Sequence, residues 1–482
     1  MLSVFNFRNR RTTQPKLQRS ALVICLTFMA LFAYSTSNVL AASATPNNVV
    51  TAGNTVITKP IDASLLGNIG TNCSAVTEIP SSECDVLVLL FANTNGSGWT
   101  QNSGWNVTNA PCSWHGVLCS GGHVININLN FNNLSGSIPL LGGLIDLQIL
   151  SLSFNTLSGS IPSLNGLTSL QFIDLSVNTL SGSIPSLNGV TGLQNLNLFN
   201  NALSGSIPSL SGLTSLKTLD LSNNKLSGSI PSLSGLTSLQ NLDLFNNTLS
   251  GTIPLLNQSI GLHNIYLDGN KLSGSIPSLT GLTSLQFLSL SSNQLSGQVP
   301  LFSGLPNLVQ LDLSNNTLNG SLPSFSGLTS LQYLYLNDNQ FIGNVPDIPT
   351  SLSRLFIQNN LLNGTIPHSL SSTVVTTGNL RLCGTGNVLT SVDTSVNSFI
   401  AARLTGWPGY CGAPPTTTHF SVTGFSSPVA AGTASTITVT ALNASNGIAT
   451  NYSGTVAITS SDANAVLPVL SQKGDRFGEE SN

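Results

Sequence analysis

The residues in this chain that could do acid–base or metal chemistry are few and far apart. Only 6% of its 482 residues are charged, whereas about a quarter are charged in an average globular protein. The five histidines are scattered: His115, His123, His263, His368 and His419. None lies at the spacing of metal ligands or a catalytic triad, and no phosphate-binding or nucleophile motif occurs. We therefore expect no catalytic residue, no metal and no cofactor, so the chain is not expected to be an enzyme.

One set of carboxylates, named here the aspartate column, is regularly spaced. Aspartates recur at equivalent positions of a repeated segment, at Asp174, Asp220, Asp243 and Asp312. One interpretation is a calcium or acid–base site. The other is that these carboxylates are ordinary solvent-facing polar residues of a repeated strand.

The elements that carry these aspartates belong to one unit written eleven times between Val124 and Cys383. One copy reads Leu170-Gln-Phe-Ile-Asp-Leu-Ser-Val-Asn178-Thr-Leu-Ser-Gly-Ser-Ile-Pro185. Its asparagine recurs nine times at steps of 23 residues and a last time after 21. The series runs Asn132, Asn155, Asn178, Asn201, Asn224, Asn247, Asn270, Asn293, Asn316, Asn339 and Asn360.

Each copy is expected to form one coil of a solenoid. Ile173 and Leu175 would point inward from a short strand, and Leu180 from the returning segment. A coil cannot fold alone, because ordering each residue costs about 1–2 kcal/mol, so neighbours must stack. The amide of Asn178 can both donate and accept, and burying it unpaired is costly. We therefore predict a hydrogen-bonded ladder of these asparagines.

The period and the leucine–asparagine pattern resemble those of leucine-rich repeat proteins. The recurring Leu-Ser-Gly-Ser-Ile-Pro, as at Leu180, resembles the plant-specific class. The resemblance implies an α/β-type repeat solenoid with parallel strands on a concave face and a mostly irregular convex side carrying short strands or 3-10 turns. In this family aspartate is common at the solvent-facing strand position, which favours the structural interpretation of the aspartate column.

The N-terminal segments predict export. Residues 1–44 have a basic start, an apolar run from Ala21 to Tyr34 and a small-residue cleavage site at Ala42-Ser-Ala44, as secretory signals do. The apolar run is short for a membrane span, and an uncleaved anchor is the alternative. We expect a secreted or cell-surface protein without a membrane span after cleavage, and a poorly ordered leader over residues 45–81.

Two caps are predicted to close the solenoid of residues 124–382, which holds eleven repeats and a partial closing one. Residues 82–123 resemble the N-terminal cap of secreted leucine-rich repeat proteins. In that cap Ser82 would begin a helix, and three tryptophans would cover the first coil or, alternatively, stack on a sugar: Trp99, Trp105 and Trp114. In the C-terminal cap, residues 383–412, Asp393 would begin another helix.

Six cysteines remain once Cys25 leaves with the signal. An even number in an exported chain favours disulfides, although sequence alone leaves their connectivity open. Proximity favours three bridges: Cys73–Cys84, Cys112–Cys119 and Cys383–Cys411. Zinc is the weaker alternative, because the spacings differ from those of zinc sites.

The remaining C-terminal residues change to a strand-like period. Residues 413–419 are predicted to be a linker. Residues 420–470 resemble the immunoglobulin-like repeats of bacterial surface proteins, but are too few for a complete sandwich, so a small all-β segment is expected. The tail, residues 471–482, abandons the pattern.

The outward-facing columns of the predicted strands become more aromatic in the later copies. Aromatic side chains with an arginine on a rigid wall are typical of binding hot spots, and packing against the C-terminal flank is the structural alternative. The predicted ligand-binding residues are Tyr266, Phe287, Tyr333, Tyr335, Arg354 and Phe356.

These features predict a monomeric recognition scaffold that binds protein, peptide or polysaccharide on its concave face. The alternative is a structural or adhesive envelope protein in which the solenoid is a spacer. A net charge of −3 provides no basic field for nucleic acid.

Overall fold

A computed structural model describes residues 70–256, 258–302, 304–407, 409–411, 419–423 and 438–442. The predicted signal, most of the leader, most of the linker, most of the C-terminal β segment and the tail lie outside these residues. The described helices are Ser81–Asn93 (α1) and Thr394–Ala401 (α2). The 3-10 turns are Cys73–Ala75, Gly96–Gly98, Pro111–Ser113 and His368–Ser372.

Thirteen strands form one sheet, named here the long sheet, which corresponds to the predicted concave face. Its first two strands pair antiparallel and every later neighbour is parallel, with one strand from each coil. The strands are Val117–Ser120 (β1), His123–Asn128 (β2), Ile149–Ser151 (β3), Phe172–Asp174 (β4), Asn195–Asn197 (β5), Thr218–Asp220 (β6), Asn241–Asp243 (β7), Asn264–Tyr266 (β8), Phe287–Ser289 (β9), Gln310–Asp312 (β10), Tyr333–Tyr335 (β11), Arg354–Phe356 (β12) and Leu380–Arg381 (β13).

A second parallel sheet of nine strands, the short sheet, forms where each coil returns. Its strands are Ser181–Gly182, Ala202–Gly205, Lys225–Ser229, Thr248–Gly251, Lys271–Gly274, Gln294–Gln298, Thr317–Ser321, Gln340–Gly343 and Leu361–Leu362. Ser135–Ser137 pairs with Thr156–Ser158 in the same way, and His419–Thr423 pairs antiparallel with Thr438–Leu442. The predicted fold class is confirmed: a leucine-rich repeat solenoid of about eleven turns, with parallel strands and little helix.

The core is a stack of leucines contributed by every coil. Leu219 and Leu221 of one coil and Leu226 of its return segment are all buried. Leu219 lies in register with Leu196 and Leu242 on the neighbouring strands. Burying such a side chain contributes about 1.5–3 kcal/mol, so repetition of the same contacts holds successive coils together.

The asparagine ladder has the predicted hydrogen bonds. The N–H of Leu203 donates to Asn224 Oδ1 at 3.0 Å. Asn224 Nδ2 donates to the carbonyls of Leu198 at 3.0 Å and Leu221 at 3.1 Å. Each amide therefore joins its own coil to the one before it, which satisfies backbone groups that the turn would otherwise leave unpaired.

The N-terminal cap begins earlier than the sequence pattern indicates. Helix α1 starts at Ser81 after Pro80, so the prediction that Ser82 caps it is wrong. Proline supplies the fixed φ with which a helix can begin. Residues 70–80, part of the predicted leader, belong to the described structure, and Gly70 N–H donates to Asn106 Oδ1 at 2.8 Å.

The three tryptophans of this cap form a buried cluster. Trp99, Trp105 and Trp114 are 5%, 1% and 2% exposed. The ring of Trp105 lies 5.0 Å from that of Trp99 and 4.9 Å from that of Trp114. The cluster supports the predicted cover over the first coil, and its burial rules out sugar stacking at these rings.

All three predicted disulfides are present, and they lie in the two caps. Cys73–Cys84 and Cys112–Cys119 lie in the N-terminal cap, and Cys383–Cys411 closes the C-terminal one. Asp393 caps α2 as predicted, accepting from the N–H groups of Ser395 and Val396. Over the described ranges, no helix has the length and apolar character needed to cross a membrane.

Candidate ligand-binding site

The last three strands of the long sheet bring aromatic and cationic side chains together. Strands β11, β12 and β13 are parallel and in register, so Tyr335, Phe356 and Arg381 form one row. Tyr333 lies opposite Arg354 in the next row. The intervening leucines point into the core because side chains alternate along a strand. We name Tyr333, Tyr335, Arg354, Phe356 and Arg381 the aromatic–arginine cluster.

Arg354 is held in place from several sides. Its Nη1 donates to the hydroxyl of Tyr335 at 2.9 Å, and its Nε donates to Asn379 Oδ1 at 2.8 Å. Its guanidinium carbon lies 5.7 Å from the ring centroid of Tyr333 and 5.9 Å from that of Phe356. A side chain fixed in this way loses little conformational entropy when a ligand binds.

A second guanidinium lies against the same ring. The guanidinium carbon of Arg381 is 4.5 Å from the ring centroid of Phe356. The ring of Phe356 in turn meets Tyr335 edge to face, at 5.4 Å between centroids. Within the described part of the chain neither arginine pairs with a carboxylate, since the ion pairs there involve His123 and His368. The cluster therefore concentrates two positive charges around one apolar ring.

Tyr335 is the buried member of the aromatic–arginine cluster. It is 8% exposed, whereas Tyr333, Arg354 and Phe356 are half-buried. Burial raises the pKa of its hydroxyl, against the opposing effect of Arg354, so the phenol stays neutral at physiological pH. Its role in this arrangement is to orient Arg354.

The structure separates two of the six predicted residues from the cluster. Tyr266 on β8 and Phe287 on β9 lie three and two strands before β11, which at about 4.8 Å per strand is roughly 10–15 Å. Four predicted residues come together, and Arg381 was missed. Aligning the partial closing repeat with the outward-facing strand positions of the other repeats would have identified Arg381, because Leu380-Arg381-Leu382 has the strand pattern.

The aspartate column is buried, contrary to its predicted solvent-facing position. Asp220 and Asp243 are only 3% and 8% exposed. Each accepts the backbone N–H two residues later, from Ser222 and Phe245 respectively. Burial raises the pKa of Asp220 to about 6 and that of Asp243 well above its ordinary value. The described residues contain no group of three potential metal ligands.

Two histidines pair with carboxylates in the caps. His123 Nδ1 lies 2.6 Å from Glu83 Oε1, and Glu83 Oε2 accepts the N–H of Val124. His368 Nδ1 lies 2.6 Å from Asp393 Oδ2 at the start of α2. The second pair joins the C-terminal cap to the solenoid, and Glu83 of the first pair joins the N-terminal cap to it through the N–H of Val124, which gives both pairs a structural role.

Comparison with known proteins agrees with the fold. Leucine-rich repeat family models match residues 146–166, 191–235, 214–258, 284–305 and 299–341. Pollen receptor-like kinase 1 of Arabidopsis thaliana is 47% identical over 49 residues, which are 10% of this chain and 7% of that protein. A probable leucine-rich repeat receptor-like protein kinase of the same plant is 38% identical over 78 residues, or 16% and 12% of the two chains.

Solved structures extend the likeness over more of the chain. The crystal structure of PEPR1–AtPEP1 matches with 31% identity and a TM-score of 0.55, covering 64% of this chain and 49% of that one. The plant peptide hormone receptor RGFR1, in complex with RGF2, matches with 38% identity and a TM-score of 0.47, covering 53% and 46%. The chain thus spans about half the length of either structure.

The fold and the matched repeats define a leucine-rich repeat solenoid. Over the matched residues its repeats are similar to those of plant leucine-rich repeat proteins.

Proposed function

We propose that this chain is an extracellular recognition scaffold that binds an anionic peptide or protein segment at the aromatic–arginine cluster. The observation that carries the proposal is the pair of guanidiniums, Arg354 and Arg381, around the ring of Phe356. The likeness of its repeats to those of receptor ectodomains supports a recognition role.

The chemistry of the cluster selects the ligand. Two like charges close together repel each other, and a carboxylate, sulfate or phosphate between them would relieve that repulsion. Charge-assisted hydrogen bonds to guanidinium are among the stronger polar contacts, at about 1.5–3 kcal/mol each. An apolar ligand side chain beside the anion would cover the rings of Tyr333 and Phe356.

Export is the second part of the proposal. Three disulfides lie in the two caps, and disulfides form and persist in oxidising compartments. Residues 1–44, whose sequence is like that of a secretory signal, also support export. Detection of the chain, with its disulfides formed, in culture medium after expression in its host would test this part.

We further propose that the chain has no catalytic activity. The described histidine–carboxylate pairs hold the caps, and the buried aspartates accept backbone hydrogen bonds. These contacts give those histidines and aspartates a structural task. Hydrolysis of a substrate panel that was lost on Asp220→Asn would contradict this part of the proposal.

The binding proposal can be tested by selecting peptides from a random library on the immobilised full chain. We expect enrichment of peptides in which an acidic side chain or a terminal carboxylate lies next to an apolar residue. Their affinity should fall about tenfold on Arg381→Gln and should fall further with added salt. Lys225→Gln is the matched control, because it removes one exposed positive charge from the short sheet.

The selection also separates the proposal from its alternative. Equal binding by wild type and Arg381→Gln would place the site elsewhere. Failure to enrich any peptide would favour the structural or adhesive role, with the solenoid as a spacer.

A further inference from the structure

The middle of the long sheet carries a second set of polar side chains, away from the aromatic–arginine cluster. Strands β6, β7 and β8 place Asp220 beside Asp243 and Asp243 beside Tyr266 in one row. The next row places Asn241 beside Asn264. We name these five residues the central amide strip. The strip lies three or more strands before β11.

Internal hydrogen bonds fix the side chains of the strip. Asn264 Nδ2 donates to Asn241 Oδ1 at 2.5 Å. Asp220 Oδ1 accepts from the N–H and the hydroxyl of Ser222, at 3.0 and 2.6 Å. Asp243 Oδ1 accepts the N–H of Phe245 at 3.0 Å. The strip is therefore organised before any ligand arrives.

Several polar atoms of the strip have no hydrogen-bond partner among the described residues. The second carboxyl oxygens of Asp220 and Asp243 take no hydrogen bond from the described residues, nor does Oδ1 of Asn264. The same holds for the hydroxyl of Tyr266. Because Asp220 and Asp243 are only 3% and 8% exposed, a ligand can reach the amide oxygen of Asn264 and the hydroxyl of Tyr266, whose side chains are half-buried.

A flat aromatic rim adjoins these polar atoms. Tyr266 ends β8, and Phe287 lies on β9 directly opposite Asn264. Both rings are half-buried, so each presents part of its surface to the solvent. An aromatic surface beside amide and phenol groups suits a ligand that is apolar on one side and rich in hydroxyls on its edge, as a pyranose ring is.

The charge of the strip disfavours an anionic ligand. Lys217 directly precedes Thr218 of β6, and its Nζ donates to Gln194 Oε1 at 3.0 Å. Burial raises the pKa of Asp220 to about 6, so at neutral pH this carboxyl is mostly ionised and its negative charge repels an anion.

We propose that the central amide strip, with Phe287 at its edge, binds a linear neutral oligosaccharide that runs along the solenoid. Neighbouring strands are about 4.8 Å apart, close to the length of one sugar ring in an extended β-linked chain. Successive rings would therefore meet equivalent positions on successive coils. This site is separate from the proposed peptide site and does not depend on it.

The experiment titrates the full chain with cellopentaose, xylopentaose and mannopentaose by calorimetry and saturation-transfer NMR. At least one pentasaccharide should bind, and its monosaccharide should bind at least about tenfold more weakly, because it contacts one coil only. Asn264→Leu, which removes the amide at similar volume, and Tyr266→Ala should each weaken binding about tenfold. Circular dichroism of both variants checks that the solenoid remains folded.

Two controls distinguish saccharide binding at the strip from binding at the peptide site and from cation binding. Arg381→Gln should leave pentasaccharide binding unchanged, because the strip lies on other strands. Pentalysine tests whether the strip binds cations instead. The proposal is overturned if no pentasaccharide binds, if both strip variants bind like wild type, or if pentalysine displaces the pentasaccharide.

Discussion

Replacing Asp220 by asparagine should stabilise the solenoid near neutral pH. Burial raises the pKa of this carboxyl from 3.8 to about 6 in the folded protein. The folded state therefore holds the proton more tightly than the unfolded state. As the pH rises from below 4 to above 6, the unfolded chain ionises first and folding stability is lost across that window.

The magnitude follows from the size of the pKa change. A rise from 3.8 to about 6, at about 1.4 kcal/mol per unit, corresponds to about 3 kcal/mol of lost stability at pH 7. Asparagine cannot ionise, yet its Oδ1 can still accept from the N–H and hydroxyl of Ser222. We expect the free energy of unfolding of Asp220→Asn to exceed that of wild type by about 2–3 kcal/mol at pH 7. Below pH 4 the two free energies should differ little.

Urea unfolding followed by circular dichroism at several pH values measures this difference. Asp347→Asn is the matched control, since the same change at an exposed carboxyl should alter stability by less than about 0.5 kcal/mol. The reasoning would be refuted if wild type and Asp220→Asn lost stability in parallel between pH 4 and pH 7. It would also be refuted if the variant were less stable at pH 7.

Two further predictions concern the ladder and the N-terminal cap. Asn224→Ala should destabilise the chain by about 3–5 kcal/mol, because it leaves the N–H of Leu203 and several carbonyls unpaired; Asn188→Ala, at an exposed position, should change urea unfolding little. The hydrogen bond to Glu83 raises the pKa of His123 above 6.5, so this pair stabilises the cap in acid and the stabilisation is lost as the pH rises above 6.5. Tryptophan fluorescence should report that loss on thermal unfolding, and a His123→Gln variant that kept the same pH dependence would contradict it.

Periodicity made most of the fold predictable from sequence. The inward leucines and the asparagine at each turn recur in fixed register, so one coil such as that of Asn224 defines the geometry of its neighbours. The N-terminus of α2 was predictable for a local reason, because Asp393 accepts hydrogen bonds from the first turn that follows it.

The features that escaped prediction depend on contacts between coils or on broken spacing. Arg381 follows Phe356 by 25 residues instead of the usual 23, and it lies in a partial repeat outside the aligned columns. Asp220 is buried between the neighbouring strands and accepts from the N–H and hydroxyl of Ser222, which a sequence pattern does not show. Helix α1 begins directly after Pro80, and the capping pattern at Ser82 did not indicate this start.

The most direct test of the recognition proposal is a crystal structure of the full chain bound to a library-selected acidic peptide. The account predicts the peptide carboxylate within hydrogen-bonding distance of both Arg354 and Arg381, with an apolar side chain against Phe356. A peptide bound on the short sheet, or one on the long sheet whose anion met neither arginine, would contradict it.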